Sequence, residues 1–399
     1  MGVEALYIHV PFCASKCLYC DFDSRACLDG GAHARYCAGL LESLEGLKDA
    51  SALDGCTTAY MGGGTPTVLG ALLPGLASRI RAAAPSLVEF TCEANPESFD
   101  GGMAAALAAS GVTRVSCGVQ SFSDAELAAI GRIHTASAAR AAVKAALDAG
   151  LDVSVDLMCG IPLQTVETWE RSVLQAIGLG VGHVSVYPLT LEEGTPLARA
   201  AERDASLVPD DDMQATCMER ARSMLTAAGL APYEVASYAR PGKECRHNIA
   251  YWTGASYLGL GRSAASMLDA ATYERLRRAL GADALPSGAS RVRLVQLGDD
   301  FPPCASYDVE HLSAREAAAE DLMLSMRMTA GAAPALLRKA GRLLGDDRVR
   351  DAAGRSVALG LASWEKDGAC CRLAPTERGW LMGNELYELF WDLACDPGR

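Results

Sequence analysis

Three cysteines in eight residues, Cys13, Cys17 and Cys20, follow directly on an apolar run that ends at Pro11. Thiolates are soft ligands, and a short C-x3-C-x2-C loop suits either zinc or an iron–sulfur cluster. Structural zinc takes four protein ligands, for which Cys27 is the only close candidate in sequence. A cubane held by three thiolates leaves one iron open, and an open metal position is where chemistry takes place. Two positions after the third cysteine stands Phe22, where a fourth thiol would have extended the loop.

Elements that could position such a loop recur through the first half of the chain. Short β-rich runs occur at "ALYIHV", "TTAYM", "VEFTCEANP", "VTRVSCGVQSF", "LDVSVDLMCGIP" and "HVSVYPLT". Between them lie Ala/Leu-rich stretches with helical spacing, among them "LGALLPGLASRIRAAA", "SAARAAVKAALDAG" and "TWERSVLQAIGLG". About six βα units in succession predict an α/β fold whose parallel sheet curls toward a barrel. A Rossmann-like open sheet is the alternative, but no strand is followed by a Gly-x-Gly-x-x-Gly turn. Read forward, the strands end at Cys13, at Gly62 to Gly64, at Glu93 and Asn95, at Gln120 and Ser121, at Asp156, and at Tyr187 to Thr190. The reactive face of parallel α/β folds lies at the carboxyl ends of the strands, so these groups are expected to share one pocket.

Composition narrows the setting. A chain of 399 residues predicts one large domain and a smaller one. No apolar stretch reads as a signal segment or a membrane span, which predicts a cytoplasmic protein. There a set of 15 cysteines is no disulfide framework; Cys56, Cys92, Cys117, Cys159, Cys217 and Cys304 read as small buried hydrophobes. A net charge of −13 argues against general nucleic-acid or anionic-membrane binding.

C-x3-C-x2-C at the end of the first strand of a (β/α)6 barrel resembles the radical S-adenosylmethionine superfamily. Within it, "YIHVPFC", "MGGGTPT", "EANPE", "GVQSF", "GRIHT" and "DLMCGIP" resemble the family that holds oxygen-independent coproporphyrinogen III oxidase and the haem chaperone HemW. The resemblance extends from Tyr7 to "LAPTERGWLMGNELYELF" near the C-terminus. It implies a [4Fe–4S] cluster on Cys13, Cys17 and Cys20, with S-adenosylmethionine on the open iron. By the same resemblance Tyr7, Tyr19, Gly63, Gly64, Thr65, Glu93, Gln120, Arg132 and Asp156 match cofactor contacts. The residues themselves also allow plainer readings: a tight turn for the glycines, an ion pair with Arg132 for Glu93, a hydrogen-bonded barrel histidine for His9.

Two features separate the branches of that family. Oxidases typically carry a further cysteine where this chain has Phe22, and a long N-terminal extension where this chain has a dozen residues before Cys13. In "RHNIAYW", His247, Asn248, Tyr251 and Trp252 match the HNxxYW motif associated with haem binding in the chaperones. Imidazole is an ordinary haem ligand, although a His beside a Trp is more often a satisfied core residue. Departures are Cys159 and Leu163 in "DLMCGIPLQT", expected to alter the pocket wall, and Ala265 where relatives carry a histidine.

Beyond about residue 270 the βα rhythm stops, and "SGASRVRLVQLGDDFPP" reads as a linker. "SAREAAAEDLMLSMRM" then reads as a helix with a Ser N-cap and with Glu316, Glu320 and Asp321 on its solvated side. Helix, helix, hairpin and final helix follow, which resembles the winged-helix-like C-terminal domain of the same family; its mixed charges disfavour DNA. The reading is therefore a partial TIM-type (β/α)6 barrel over 1–228, a barrel extension and linker carrying HNxxYW over 229–300, and a winged-helix-like domain over 301–399. The resemblance implies a haem chaperone that binds haem near His247 and delivers it to acceptor haemoproteins. It leaves room for transient contact with respiratory membrane proteins and for a homodimer, and implies no nucleic-acid partner. The alternative is an oxygen-independent coproporphyrinogen III oxidase, an oxidoreductase that decarboxylates propionates by radical chemistry.

Overall fold

The computed structural model describes residues 2–368 and 370–395. Six parallel strands lie side by side in chain order: β1 (Ala5–Val10), β2 (Thr58–Gly63), β3 (Glu89–Ala94), β4 (Arg114–Gln120), β5 (Asp152–Cys159) and β6 (His183–Pro188). The crossovers run through α1 (Gly30–Asp49), α2 (Leu72–Ala83), α3 (Gly101–Ala109), α4 (Ala136–Asp148) and α5 (Val166–Gly178). Local chemistry starts four of these helices: the side chains of Asp29, Asp100, Thr135 and Thr165 each accept a backbone N–H from the first turn. The strands are buried on both faces, which suits their near-continuous apolar runs.

Both edges of this sheet are extended. Beyond β6 come the short antiparallel strands β7 (Ala231–Pro232) and β8 (Ser237–Ala239). Beyond β1 lies β9 (Tyr257–Leu260), still parallel, and then β10 (Ala265–Asp269), β11 (Ala289–Leu297) and β12 (Ser306–Ser313), all antiparallel. The order β12-β11-β10-β9-β1-β2-β3-β4-β5-β6-β8-β7 leaves the barrel open. Two further helices matter here, α6 (Asp211–Ala227) and α7 (Arg246–Trp252).

The stretch expected as a linker is strand β11. Val292, Leu294 and Gln296 are buried on alternate positions, so the period-2 pattern of "RVRLVQL" was a strand signal that the flanking Gly and Pro residues obscured. Residues 306–313, expected in the C-terminal domain, instead extend the large sheet as β12; from there the helices and hairpin come in the expected order, with α8 (Ala314–Ser325), α9 (Pro334–Leu344), α10 (Asp346–Ala358), the hairpin β13 (Ala362–Asp367) with β14 (Cys370–Pro375), and α11 (Gly383–Trp391) around its own apolar cluster.

Two expectations fail on burial. Cys304 is exposed, whereas Cys56, Cys92, Cys117, Cys159 and Cys217 are buried as expected. Glu316 caps α8 in the solvent, but Glu320 and Asp321 are buried against β11, with only 3% and 8% of their surface exposed. Arg291 donates to Glu320 at 2.9 Å and to Asp321 at 2.7 Å; Arg293 also reaches Glu320, and Lys339 of α9 reaches Asp321 at 2.8 Å. The arginines in β11 thus turn what helical spacing marked as a wet face into an interface. Removing one partner of a buried ion cluster strands the others, so Glu320→Ala should cost about 3 kcal/mol in urea unfolding. Asp148→Ala, which breaks the exposed Lys144 pair, should change stability by less than about 1 kcal/mol.

Candidate functional site

A cavity of about 360 Å³ opens at the carboxyl ends of β1–β6. Cys13, Cys17 and Cys20 form one wall with Tyr19; Gly63, Gly64, Thr65, Glu93, Gln120, Arg132 and Asp156 line the rest. The strand ends therefore converge as their polar and glycine residues predicted. Asn95 and the segment Tyr187 to Thr190 also take part, whereas Ser121 turns away to donate to Glu126 at 2.6 Å. Gln120 closes β4 with φ +65°, a conformation costly for a side-chain-bearing residue and typical of functional sites.

The cysteine loop is held by its backbone. Gly64 and Thr65 donate to the carbonyls of Val10 and Phe12 at 2.8 and 2.7 Å, and Lys16 ties the far side to the carbonyls of Phe22 and Ser24 at 2.8 and 3.1 Å. The N–H groups of Gly63, Gly64 and Thr65 already have partners, the first being a Glu93 carboxylate oxygen at 3.1 Å. Glycine is needed at Gly64 because a Cβ there would lie 2.5 Å from the Phe12 carbonyl. Phe22 follows the loop at the cavity mouth with 63% of its surface exposed.

Two carboxylates form the floor. Glu93 accepts from the Tyr60 hydroxyl at 2.8 Å, not from Arg132, which donates instead to Asn95 and to the Gly118 carbonyl, each at 2.6 Å. Asp156 is ringed by serines: Ser116 donates at 3.0 and 3.1 Å and Ser154 at 3.3 Å, while the Ser185 hydroxyl lies 3.5 Å from that of Ser154. Burial nevertheless dominates, pushing Glu93 up to about 7 and Asp156 to about 6. Such carboxyls are poised for a cationic ligand group, whose arrival would favour the ionised form. The three serines were missed in the sequence, where the signal was small polar residues at the inward, period-2 positions of β4, β5 and β6.

Other candidates lie elsewhere. Tyr7 and His9 of β1 are not among the cavity-lining residues; the Tyr7 hydroxyl meets His9 Nδ1 at 3.0 Å, and His9 Nε2 meets the Asp23 carbonyl at 2.9 Å. His9 is thus the hydrogen-bonded barrel histidine of the plainer reading. Cys159 belongs to the core and Leu163 is exposed beside a separate surface groove, so neither alters the cavity wall as expected. Ala265 begins β10, and Cys27 pairs with the Cys13 carbonyl through its backbone.

His247 sits on α7 at the opposite end of the strands. Glu89, first residue of β3, caps α7 by accepting from the Arg246 and His247 backbone N–H groups at 3.1 and 3.0 Å. The imidazole Nδ1 meets Thr58 Oγ1 at 3.1 Å and the ring stacks on Tyr60 with centroids 5.2 Å apart. Nε2 has no partner among the described residues, and burial lowers the imidazole to about 3, so it is neutral. Trp252 turns away from this ring to donate to Glu234 at 3.1 Å.

Among the described residues no three His, Cys, Asp or Glu side chains form a single-ion site. A three-thiol loop on an open cavity suits a cluster better than structural zinc, which would need a fourth protein ligand. No helix among the described residues is long and apolar enough to cross a membrane.

Residues 7–176 match the Radical SAM superfamily, whose domain implies a [4Fe–4S] cluster and S-adenosylmethionine. A curated haem chaperone HemW of Mycobacterium tuberculosis is 36% identical over 95% of this chain and 92% of its own length. HemW of Escherichia coli is 38% identical over 64% of this chain and 68% of its length. Coproporphyrinogen III oxidase (HemN) of Escherichia coli, described as a radical SAM enzyme, superposes with a TM-score of 0.74 over 98% of this chain and 90% of its own, at 18% identity. That likeness establishes a shared fold.

The raised carboxyls make stability pH-dependent. Folded Glu93 holds its proton up to about pH 7, whereas the unfolded residue loses it near 4.5, so stability falls as pH rises through this window. Glu93→Gln removes the titration and keeps partners for Tyr60 and Gly63. Calorimetry of the ligand-free chain should therefore find the variant gaining in melting temperature, relative to the parent, between pH 4.5 and pH 8; an unchanged difference would show that Glu93 ionises normally.

Proposed function

We propose a function from the premise that this chain belongs to the haem chaperone HemW family of radical SAM proteins: it binds haem and delivers it to acceptor haemoproteins, with a [4Fe–4S] cluster on Cys13, Cys17 and Cys20. The observation that carries the cluster part is the convergence of these thiols with Gly63, Gly64, Thr65, Glu93, Gln120, Arg132 and Asp156 on one cavity. When bound, the cluster and S-adenosylmethionine supply one-electron reductive chemistry. The chain's own part is to hold three thiols on one wall, to offer Tyr19 as an aromatic face, and to set Glu93 and Asp156 against a cationic cofactor.

Haem is assigned to the HNxxYW helix. What supports His247 is chemical: a neutral imidazole whose Nε2 has no partner among the described residues is suited to ligate iron. Because His247 is 1% exposed, ligation requires α7 to move away from Thr58 and Tyr60. Phe22 in place of a further cysteine favours the chaperone over the oxidase. The acceptor proteins are the natural partners, and a homodimer or a transient contact with respiratory membrane proteins belongs to the same proposal.

One anaerobic experiment separates the two activities. The reconstituted chain is given S-adenosylmethionine and a reductant, with haem in one tube and coproporphyrinogen III in another. Stoichiometric haem binding without protoporphyrinogen is expected; repeated turnover to protoporphyrinogen would establish an oxidase instead. Cys17→Ala should abolish cluster absorbance, and a full iron complement in that variant would refute the ligand set. His247→Ala should weaken haem binding at least about tenfold, or about 1.4 kcal/mol, with iron content unchanged; unaltered haem affinity would move the site off α7.

A further inference from the structure

The polar groups behind the cysteine loop form a fork. Arg132 Nη2 donates to Asn95 Oδ1 at 2.6 Å, and Asn95 Nδ2 donates to Thr65 Oγ1 at 2.7 Å. An arginine only donates, so the Asn95 carbonyl oxygen must face it and the amide must face Thr65. The Thr65 hydroxyl, already accepting from Asn95, is thereby free to donate, and the atom in front of it is Cys13 Sγ at 3.6 Å. On the other arm Arg132 Nη1 points at Cys17 Sγ at 3.4 Å. Each of these hydrogen bonds has one direction, and both arms end on sulfur.

The surroundings are cleared for this arrangement. A Cβ on Gly118 would lie 2.6 Å from Asn95 Oδ1 and 3.3 Å from Arg132 Nη2, while the Gly118 carbonyl anchors the same guanidinium at 2.6 Å. Thr65 is 1% exposed, so its donor does not compete with water. Cys20 receives no side-chain hydrogen bond of this kind among the described residues, so the fork distinguishes two thiols from the third.

We infer that Asn95 is the hinge of a hydrogen-bond fork that presents donors to Cys13 through Thr65 and to Cys17 through Arg132, and so sets how readily the cluster accepts an electron. This rests on the cluster assignment of the preceding section. Hydrogen bonds and positive charge at ligand sulfurs favour the reduced, more negative cluster, so the fork raises its reduction potential. Asn95 and Thr65 act here as positioning residues, through the ligands.

The test is a redox titration of the anaerobically reconstituted chain with dithionite, followed by electron paramagnetic resonance and without S-adenosylmethionine, so that no cofactor contact enters. Thr65→Val keeps shape and deletes the donor to Cys13. At a fixed potential its ratio of reduced to oxidised cluster should fall about tenfold, a shift of about 59 mV toward negative values for one electron. Thr65→Ser should return it to the parent value. Asn95→Ala, which removes the amide that joins the two arms, should shift at least as far. A Thr65→Val chain with full iron content and the parent midpoint overturns the inference, as does a Thr65→Ser chain that stays shifted like Thr65→Val. Failure of the unsubstituted chain to take up four irons would instead overturn the cluster assignment, and iron analysis reads that separately.

Discussion

Two backbone hydrogen bonds, from Gly64 and Thr65 to the carbonyls of Val10 and Phe12, join the end of β2 to the loop that leaves β1. Everything at the carboxyl face depends on them. They hold the cysteine loop over the cavity without a side chain between, and they exist only because residue 64 has no Cβ. The same register brings Thr65 beneath Cys13 and Gly63 onto Glu93, so one local pairing sets both a wall and the floor of the site.

Below that face the barrel interior is polar. Tyr60 donates to Glu93 above and stacks on His247 below; Ser154 links Asp156 to His183 at 2.8 Å, and His183 reaches the Tyr233 hydroxyl at 2.8 Å. Arg114 and Glu89 pair within 3.6 Å at the foot, with Glu89 also capping α7. These groups are neutral or paired, as burial demands. The cavity carboxyls are the exception: serine hydroxyls and a tyrosine compensate their desolvation only in part, which is why Glu93 and Asp156 remain raised.

How much of this could be read in advance varied with the kind of signal. The six βα units were legible because apolar periodicity and strand-end punctuation agree, and the cavity followed from where polar residues interrupt the strands. Strand β11 was not, since "RVRLVQL" lies between turn-rich segments and its strand pairing is tertiary information. Glu320 and Asp321 were misjudged for a related reason: helical spacing says which residues share a face, but not that two arginines from a distant strand cover it. Tyr7 was matched to the cofactor by position; in the fold its hydroxyl meets His9 Nδ1. The fork at Asn95 had no one-dimensional signature, because its members are far apart in the chain and meet only once the sheet forms.

The sheet order carries a consequence for biosynthesis. β1 lies in the middle, between β2 and β9, yet β9 begins at Tyr257. A ribosome adding about 5–20 residues per second needs on the order of tens of seconds to travel from one to the other. During that interval the outer edge of β1 has unpaired backbone groups, with the three-cysteine loop beside it. The outer edge of β1 therefore gains its partner only late in synthesis, after all six strands of the parallel core have been made.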